Sequence, residues 1–578
     1  MKPAWRSSLI LIGSVAMPGM GVPAPAPQIL VEPERGFFFH ETTISMRCAA
    51  PGSSILYTTD CSEPWGKAAA TGTNFVSLRI TNTTILRVAV SRPGLPNSPS
   101  QTHSYIFPAA VSSQERPAAA ASKWKEDPPD GNGQSYAADF AIDQEVIQAA
   151  STGYAFTNAL LAIPSVSVVA PMEALFGMNG IYTRVMMRGT NWERAASFEL
   201  MYPNGRKGVH ANAGLRMQGA VSRLNHATPK HPLRLTFREK YGLSKLDFPC
   251  FPDSKTHLFD HLVLRACSTD AWCMANTVDF LWRNRDATYL RDQWMRDTQL
   301  AMGDPSPHGI YVNLYLNGLY WGLYNLTERP GDAFAAAASG GRKSEYDVVG
   351  EFNGELRAGN RDAWENLLAL ADRAPKEPDV YWRMQGLNAD GQRNTALPVL
   401  IDLDNLIDYM ALHIYAPAVD WPNRNWWAAR RRGSESTGFR FFVWDQEVAI
   451  DRLDRRMTWA NNKPFAEVNE RGTPAQIYDR LRKIPEFRQR FADRLQKHLG
   501  QGGALSVEAC RARWAARARE IDCAIVGESA RWGDAWQKPA YTREKDWLRM
   551  SRFTQDVYWP ENYLRALERF RSVGLLPK

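Results

Sequence analysis

The stretch VDWPNRNWW, residues 419–427, sets Asp420 and Asn425 five positions apart among tryptophans, and FFVWDQE, residues 441–447, follows with Asp445 and Glu447. Just upstream, DLDNLIDYMALHIYAP (402–417) has the apolar spacing of an amphipathic helix, and FRFFVWD (439–445) reads as a strand that delivers Asp445. Polar groups set among so much apolar surface need partners. Phosphoryl transfer asks for a carboxylate beside the acceptor hydroxyl and for oxygen ligands to a divalent cation. An Asp and an Asn five apart in one loop, followed by an Asp at a strand end, is that residue pattern. It makes Asp420 the candidate catalytic carboxylate and Asn425, Asp445 and Glu447 candidate ligands for Mg²⁺ or Mn²⁺, Glu447 falling on the side of Asp445 if the strand continues. The same Asp and Asn also suit a turn capped by their own side chains. Spacing alone leaves both readings open.

The chain has 578 residues, 44% hydrophobic and 22% charged, the balance of a folded multidomain protein. Residues 1–28, beginning MKPAWRSSLILIGSVAMPGM, have the layout of a signal peptide: Lys2 and Arg6, an apolar stretch, then small residues. That apolar stretch is well short of the roughly 20 residues that span a bilayer, and no later segment qualifies. The expectation is an exported protein, periplasmic, extracellular or at the cell surface, with no membrane span in the mature chain. The formal charge of +8 falls to +6 without Lys2 and Arg6, and no aromatic-basic module suggests nucleic acid. Seven cysteines without CxxC spacing argue for structural thiols or optional bridges (48–61, 267–273, 510–523, with Cys250 left over), not for a zinc site.

Residues 29–107 read as short alternating strands broken by turns, a small β-sandwich. Phe37–Phe39 is the only run of adjacent aromatics there, and core packing accounts for it. Residues 108–160, rich in Ala, Pro, Ser and Gly, read as a linker. From 161 to 470 longer strands mix with helices. Strands are expected in IPSVSVVAP, GIYTRVMM, SFELMYP, VHANAGLRMQG and HPLRLTFRE, and a helix in DAWCMANTVDFLWRNR (270–285). YVNLYLNGLYWGLYNLTE (311–328) is a hairpin about Asn317-Gly318. Residues 471–578 form a helical extension.

Two resemblances add to this reading. ILYTTDCSEP with the following strands is similar to the chitobiase/β-hexosaminidase C-terminal-like module, usually an accessory domain. More extensively, LRACSTDAW, ATYLRDQWMRDTQLAMG, YVNLYLNGLYWGLYNLTERP, DWPNRNWW, FVWDQE and ESARWGD resemble the CotH family of atypical secreted kinases over residues 160–578. The resemblance implies an α+β fold: an N-terminal sandwich, a two-lobed protein-kinase-like domain and a helical extension. It implies ATP and Mg²⁺ (or Mn²⁺) as cofactors and a protein serine or threonine as acceptor. It matches Asp420 to the catalytic-loop aspartate, Asn425 to its metal-side asparagine and Asp445 to the metal aspartate, with Glu447 as a longer second carboxylate. It makes Lys230 the candidate phosphate lysine, with Arg216, Arg223 and Arg234 beside it and Glu328 a carboxylate that pairs with one of these cations. Arg291 and Asp292 are expected to pair with each other. There is no G-x-G-x-x-G loop, and Pro422 stands where typical kinases have lysine. The alternatives are a catalytically inactive kinase-like surface or coat protein and a carbohydrate-associated protein led by the sandwich.

Overall fold

In the computed structural model the described residues are 28–577, less 67–68, 127–131, 277–282, 451, 455 and 459–461. The signal-peptide segment and part of the expected 270–285 helix lie outside them. On either side of 277–282 the chain forms only 3₁₀ turns, Ser268–Asp270 and Asn284–Asp286.

The N-terminal strands make two sheets, one of three strands (Ile29–Glu32, Thr42–Cys48, Phe75–Ile80) and one of five. Alternation puts Ile44, Met46, Ile55, Leu86 and Val88 into one shared core. The described residues of 108–160, expected to be a linker, are folded onto the rest of the chain. Trp124 and Phe140 pack against Tyr182 and Trp321 with ring centroids 5.5–6.2 Å apart. A few large apolar side chains outweigh the Ala/Pro/Ser composition, because each buries far more area than a small residue.

Seven strands then close a barrel: β1 Ser165–Val169, β2 Arg194–Met201, β3 Val209–Met217, β4 Leu233–Thr236, β5 His261–Arg265, β6 Gly309–Leu316 and β7 Leu319–Glu328. Their order is β1-β2-β3-β4-β5-β7-β6, and β6 runs parallel to β1 to complete the ring. GIYTRVMM, expected as a strand, forms turns instead. The hairpin β6–β7 turns at Asn317 (φ 51°) and Gly318 (φ 82°), the left-handed pair that a two-residue loop requires. A second sheet holds β8 Tyr346–Gly350, β9 Glu355–Ala358, β10 Trp426–Arg431 and β11 Arg440–Val443 in the order β9-β8-β10-β11. Helices α1 (Arg291–Met302), α2 (Leu403–Tyr415) and α3 (Ala524–Trp532) pack between and around the sheets, and one continuous core runs from the barrel interior into the C-terminal helices.

The outer face of the barrel meets this second sheet. Val263 of β5 packs with Tyr346, Trp427, Phe442 and Trp444. Directly paired residues share a face, so Arg216, Arg234 and Val263, paired in sequence across β3, β4 and β5, form one outward row. All seven cysteines are free thiols, six of them buried. Among the described residues no helix is long and apolar enough to cross a membrane.

Candidate functional site

Helix α2 begins at Asp402, whose side chain accepts from the Asn405 N–H, and ends at Tyr415. The loop that follows carries Asp420 and Asn425 into β10. Strands β10 and β11 pair antiparallel with Trp426 opposite Val443. That register sets Asn425, just before β10, beside Trp444 and Asp445, just after β11. Gln446 lashes the two segments together, its Nε2 donating to the Asn425 carbonyl (3.0 Å) and the Trp444 carbonyl (2.9 Å). Asn425 (φ 65°) and Asp445 (φ 59°) both hold left-handed backbone, which Asn and Asp tolerate better than other side-chain-bearing residues. Such conformations persist where the surrounding structure enforces them, often at functional sites.

Asn425 Nδ2 donates to Asp420 Oδ2 at 2.7 Å. The other oxygen, Oδ1, is buried without a hydrogen-bond partner. Burial, then the nearby charge of Asp445, pushes the Asp420 carboxyl up to about 7, against the opposing influence of Arg424. Asp420 is therefore a desolvated carboxyl with one oxygen held and one open, poised to gain or lose a proton near neutrality.

A second group stands on the barrel side. Arg265, at the end of β5, donates from Nη2 to Asp445 Oδ1 (2.6 Å) and Glu447 Oε1 (2.6 Å), and its Nε lies 3.2 Å from Asp292 Oδ2. Its guanidinium rests 4.8 Å from the Trp444 ring centroid. Glu447 Oε2 accepts from the Thr269 N–H (2.9 Å) and hydroxyl (3.0 Å). Burial lifts Glu447 to about 7 despite Arg265. Burial would lift Asp292 too, yet Arg265 and Arg296 outweigh it and hold that carboxyl below its usual range.

Asp420, Asn425 and Asp445 are thus brought together, whereas both oxygens of Glu447 are committed to Arg265 and Thr269. Arg291 and Asp292 do not pair with each other. Adjacent helical residues diverge, and Arg291 reaches Asp270 (3.1 Å) while Asp292 faces Arg265. Lys230 lies away from solvent, its Nζ 2.7 Å from Glu528 Oε1 of α3, and both side chains are fully buried. Glu328 accepts from the backbone N–H (2.8 Å) and ring Nδ1 (2.7 Å) of His308 and, among the described residues, from no Arg or Lys. Arg223 spends its Nε and Nη2 on the carbonyls of Val185 and Met187, 2.6 Å each.

Arg216 and Arg234 stand directly opposite each other on the outer row of the barrel. Like charges so placed repel. Glu193 lies 3.3 Å from Arg216 Nε, but Arg234 makes no ion pair or hydrogen bond among the described residues, and its Nε is buried without a partner. These two residues help line a cavity of about 180 Å³. Nearby, Arg329 likewise has no ion pair among the described residues. It lies over the Trp427 ring, 5.1 Å from the centroid, and burial, then Arg357, pushes it down to about 10. The sequence does not single out Arg265 or Arg329. Arg265 stands in LRACSTDAW and Arg329 in NLTERP, but nothing local marks either as a neighbour of the segment that holds Trp427 and Asp445.

Among the described residues no three His, Cys, Asp or Glu side chains form a ready metal cage. A Mg²⁺ site of the nucleotide-dependent kind needs less, one or two carboxylates completed by phosphate oxygens and water. The half-exposed Asp445 and the amide oxygen of Asn425 suit that donor set, which leaves the unpartnered Oδ1 of Asp420 to an acceptor hydroxyl. No curated protein matches the chain. The family model described as CotH kinase protein matches residues 215–551, more than half of the chain and the whole of this site, and the chain belongs to that family.

Proposed function

We propose that the protein is an exported atypical kinase that transfers the γ-phosphoryl group of ATP to a serine or threonine hydroxyl of a protein, with Mg²⁺ or Mn²⁺. The observation that carries this reading is the buried, unpartnered Oδ1 of Asp420 beside Asn425 and Asp445. In this reading the barrel and the sheet-and-helix half act as the two lobes of a kinase-like fold, and the N-terminal sheets as the chitobiase-like accessory module.

Asp420, raised to about 7, takes the acceptor proton or orients the hydroxyl. Asn425 fixes the Asp420 rotamer through its 2.7 Å hydrogen bond and, with Asp445, would hold the cation. The cation supplies charge neutralisation of the phosphates when bound. Arg265 gathers Asp445, Glu447 and Asp292 on one guanidinium and keeps these three clustered carboxylates from repelling one another. The unpaired cations Arg234 and Arg329, with Arg216, offer the phosphate clamp that the sequence lacks as a Gly-rich loop. Lys230 instead ties the barrel to α3.

The test is incorporation of label from [γ-³²P]ATP by the purified chain with Mg²⁺ or Mn²⁺, beside Asp420→Ala and Asp445→Ala. Loss of incorporation in both variants, with the fold retained, is expected. Equal incorporation by all three removes the catalytic assignment. A second reading, a kinase-like protein that binds without catalysis, is favoured by the Arg265–Asp445 ion pair, which already occupies one oxygen of the metal aspartate. Nucleotide binding without any label transfer would select it.

A further inference from the structure

A cavity of about 590 Å³ lies at the seam between the N-terminal sheets and the barrel, not at the acidic site. That volume is in the range of small-molecule sites. The seam is fixed, because several polar contacts cross it. Glu199 of β2, fully buried, takes the Nε of Arg35 at 3.0 Å and the N–H of Ser104 at 3.2 Å. The Thr102 N–H donates to His210 Nε2 (3.2 Å), and Asn212 Nδ2 donates to the Ser100 carbonyl (3.0 Å). The cavity is therefore preformed.

Its walls differ in character. The floor is apolar, from Leu200, Met201 and Phe37. Phe39, the one member of the Phe37–Phe39 cluster that core packing does not claim, is 66% exposed at the edge. From the barrel side the exposed loop 204–207 contributes Arg206 and Lys207, and Arg206 lies 4.6 Å over the Tyr202 ring. Arg35 is already paired with Glu199, and the two remaining cations, Arg206 and Lys207, face a single carboxylate, Glu34, so the rim is cationic. The Tyr202 hydroxyl is buried on this wall without a hydrogen-bond partner. A buried hydroxyl with nothing to bond is costly, and a ligand hydroxyl or anionic oxygen would satisfy it.

We propose that this seam cavity binds an anionic saccharide, a sugar ring carrying a carboxylate or a phosphate. The ring face rests on Phe39, the anionic group meets Arg206 and Lys207, and a ring hydroxyl meets Tyr202. The aromatic edge and the orphan hydroxyl select a polyol body, and the two exposed cations select the charge.

The test is isothermal titration calorimetry of the full chain with a galacturonate tetrasaccharide, glucose 6-phosphate, a neutral glucose tetrasaccharide and inorganic phosphate alone. Saturable binding of either acidic sugar is expected, and which of the two saturates identifies the anionic group. Arg206→Ala with Lys207→Ala should weaken that binding roughly tenfold or more, and Tyr202→Phe and Phe39→Ala should weaken it measurably. These side chains lie at the surface or lose a single atom, so the variants keep the fold. Asp445→Ala should bind the sugar as the unaltered chain does, which separates this site from the acidic one. The proposal is overturned if neither acidic sugar saturates, if the neutral tetrasaccharide or free phosphate binds as tightly, or if the double variant binds unchanged.

Discussion

The chemistry of the acidic site turns on one carboxyl. Asp420 keeps one oxygen on Asn425 and leaves the other buried and open, and its pKa rises from 3.8 to about 7 because burial and Asp445 both disfavour its charge. The sign of the consequence is fixed by proton counting. Between about pH 4 and pH 7 the folded chain holds a proton that the unfolded chain has released, so this group weakens folding progressively as pH rises through that window. At about 1.4 kcal/mol for each pH unit of the window, the loss approaches roughly 4 kcal/mol above pH 7 as an upper bound. Asp420→Asn keeps an acceptor for Asn425 and removes the charge. Thermal unfolding followed from pH 4 to pH 8 should show the variant near wild type at the acid end and increasingly more stable toward pH 8. A difference that stays constant across that range would mean that Asp420 is not a strained carboxyl. A bound cation or an acceptor hydroxyl would relieve the same cost, which is how a site destabilised in the free chain favours its ligands.

At the scale of elements, Lys230 shows how a side chain changes meaning once its surroundings are known. It sits between the barrel and α3 with Glu528, and Gly322 of β7 permits that approach, since a Cβ there would stand 2.5 Å from Glu528 Oε2. Glu528 also accepts from the Leu323 N–H at 2.7 Å, so the helix is pinned to the strand backbone. Removing one partner of a fully buried pair strands the other charge, which costs about 3–5 kcal/mol. Lys230→Met should therefore be strongly destabilised in chemical denaturation, and Lys230→Met with Glu528→Gln should recover part of the loss. Nucleotide affinity in the refolded double variant should be retained. A stable Lys230→Met that fails only to bind ATP would instead restore Lys230 as the phosphate lysine. The local elements are readable from the sequence because their signals are local: Asn317-Gly318 specifies its hairpin and Asp402 caps its helix. The loop pair Asp420 and Asn425 is readable for the same reason. Arg265 is not, since it meets Asp445 across 180 residues and only closure of the barrel sets that distance.

At the scale of the whole molecule, the same limit explains why residues 108–160 read as a linker and why the ring of seven strands is not foreseeable from local patterns. The parallel contact of β1 with β6 and the burial of Trp124 are long-range outcomes that neither composition nor periodicity carries. They also make the N-terminal sheets an integral part of the protein. Glu199, on a barrel strand, is fully buried and has its pKa raised by that burial in spite of Arg35, which comes from the N-terminal sheets. Arg35→Ala would leave that carboxylate with only the Ser104 N–H and the hydroxyl network of Ser104 and Ser167. Because Arg35 favours the ionised form, its removal should raise the Glu199 pKa further, and the loss of stability should grow as pH rises above the ordinary glutamate range and shrink below about pH 4. At neutral pH the expected cost is about 2–4 kcal/mol. Differential scanning calorimetry should show one cooperative transition in the unaltered chain and, in Arg35→Ala, an earlier transition as the sheets leave the barrel. Glu199→Gln combined with Arg35→Ala should suppress the pH dependence, because no charge remains to be stranded. If Arg35→Ala melts as the wild type does at every pH, the ion pair does not hold the seam, and the docked arrangement must rest on the apolar contacts around Ile106, Tyr315 and Tyr320 instead.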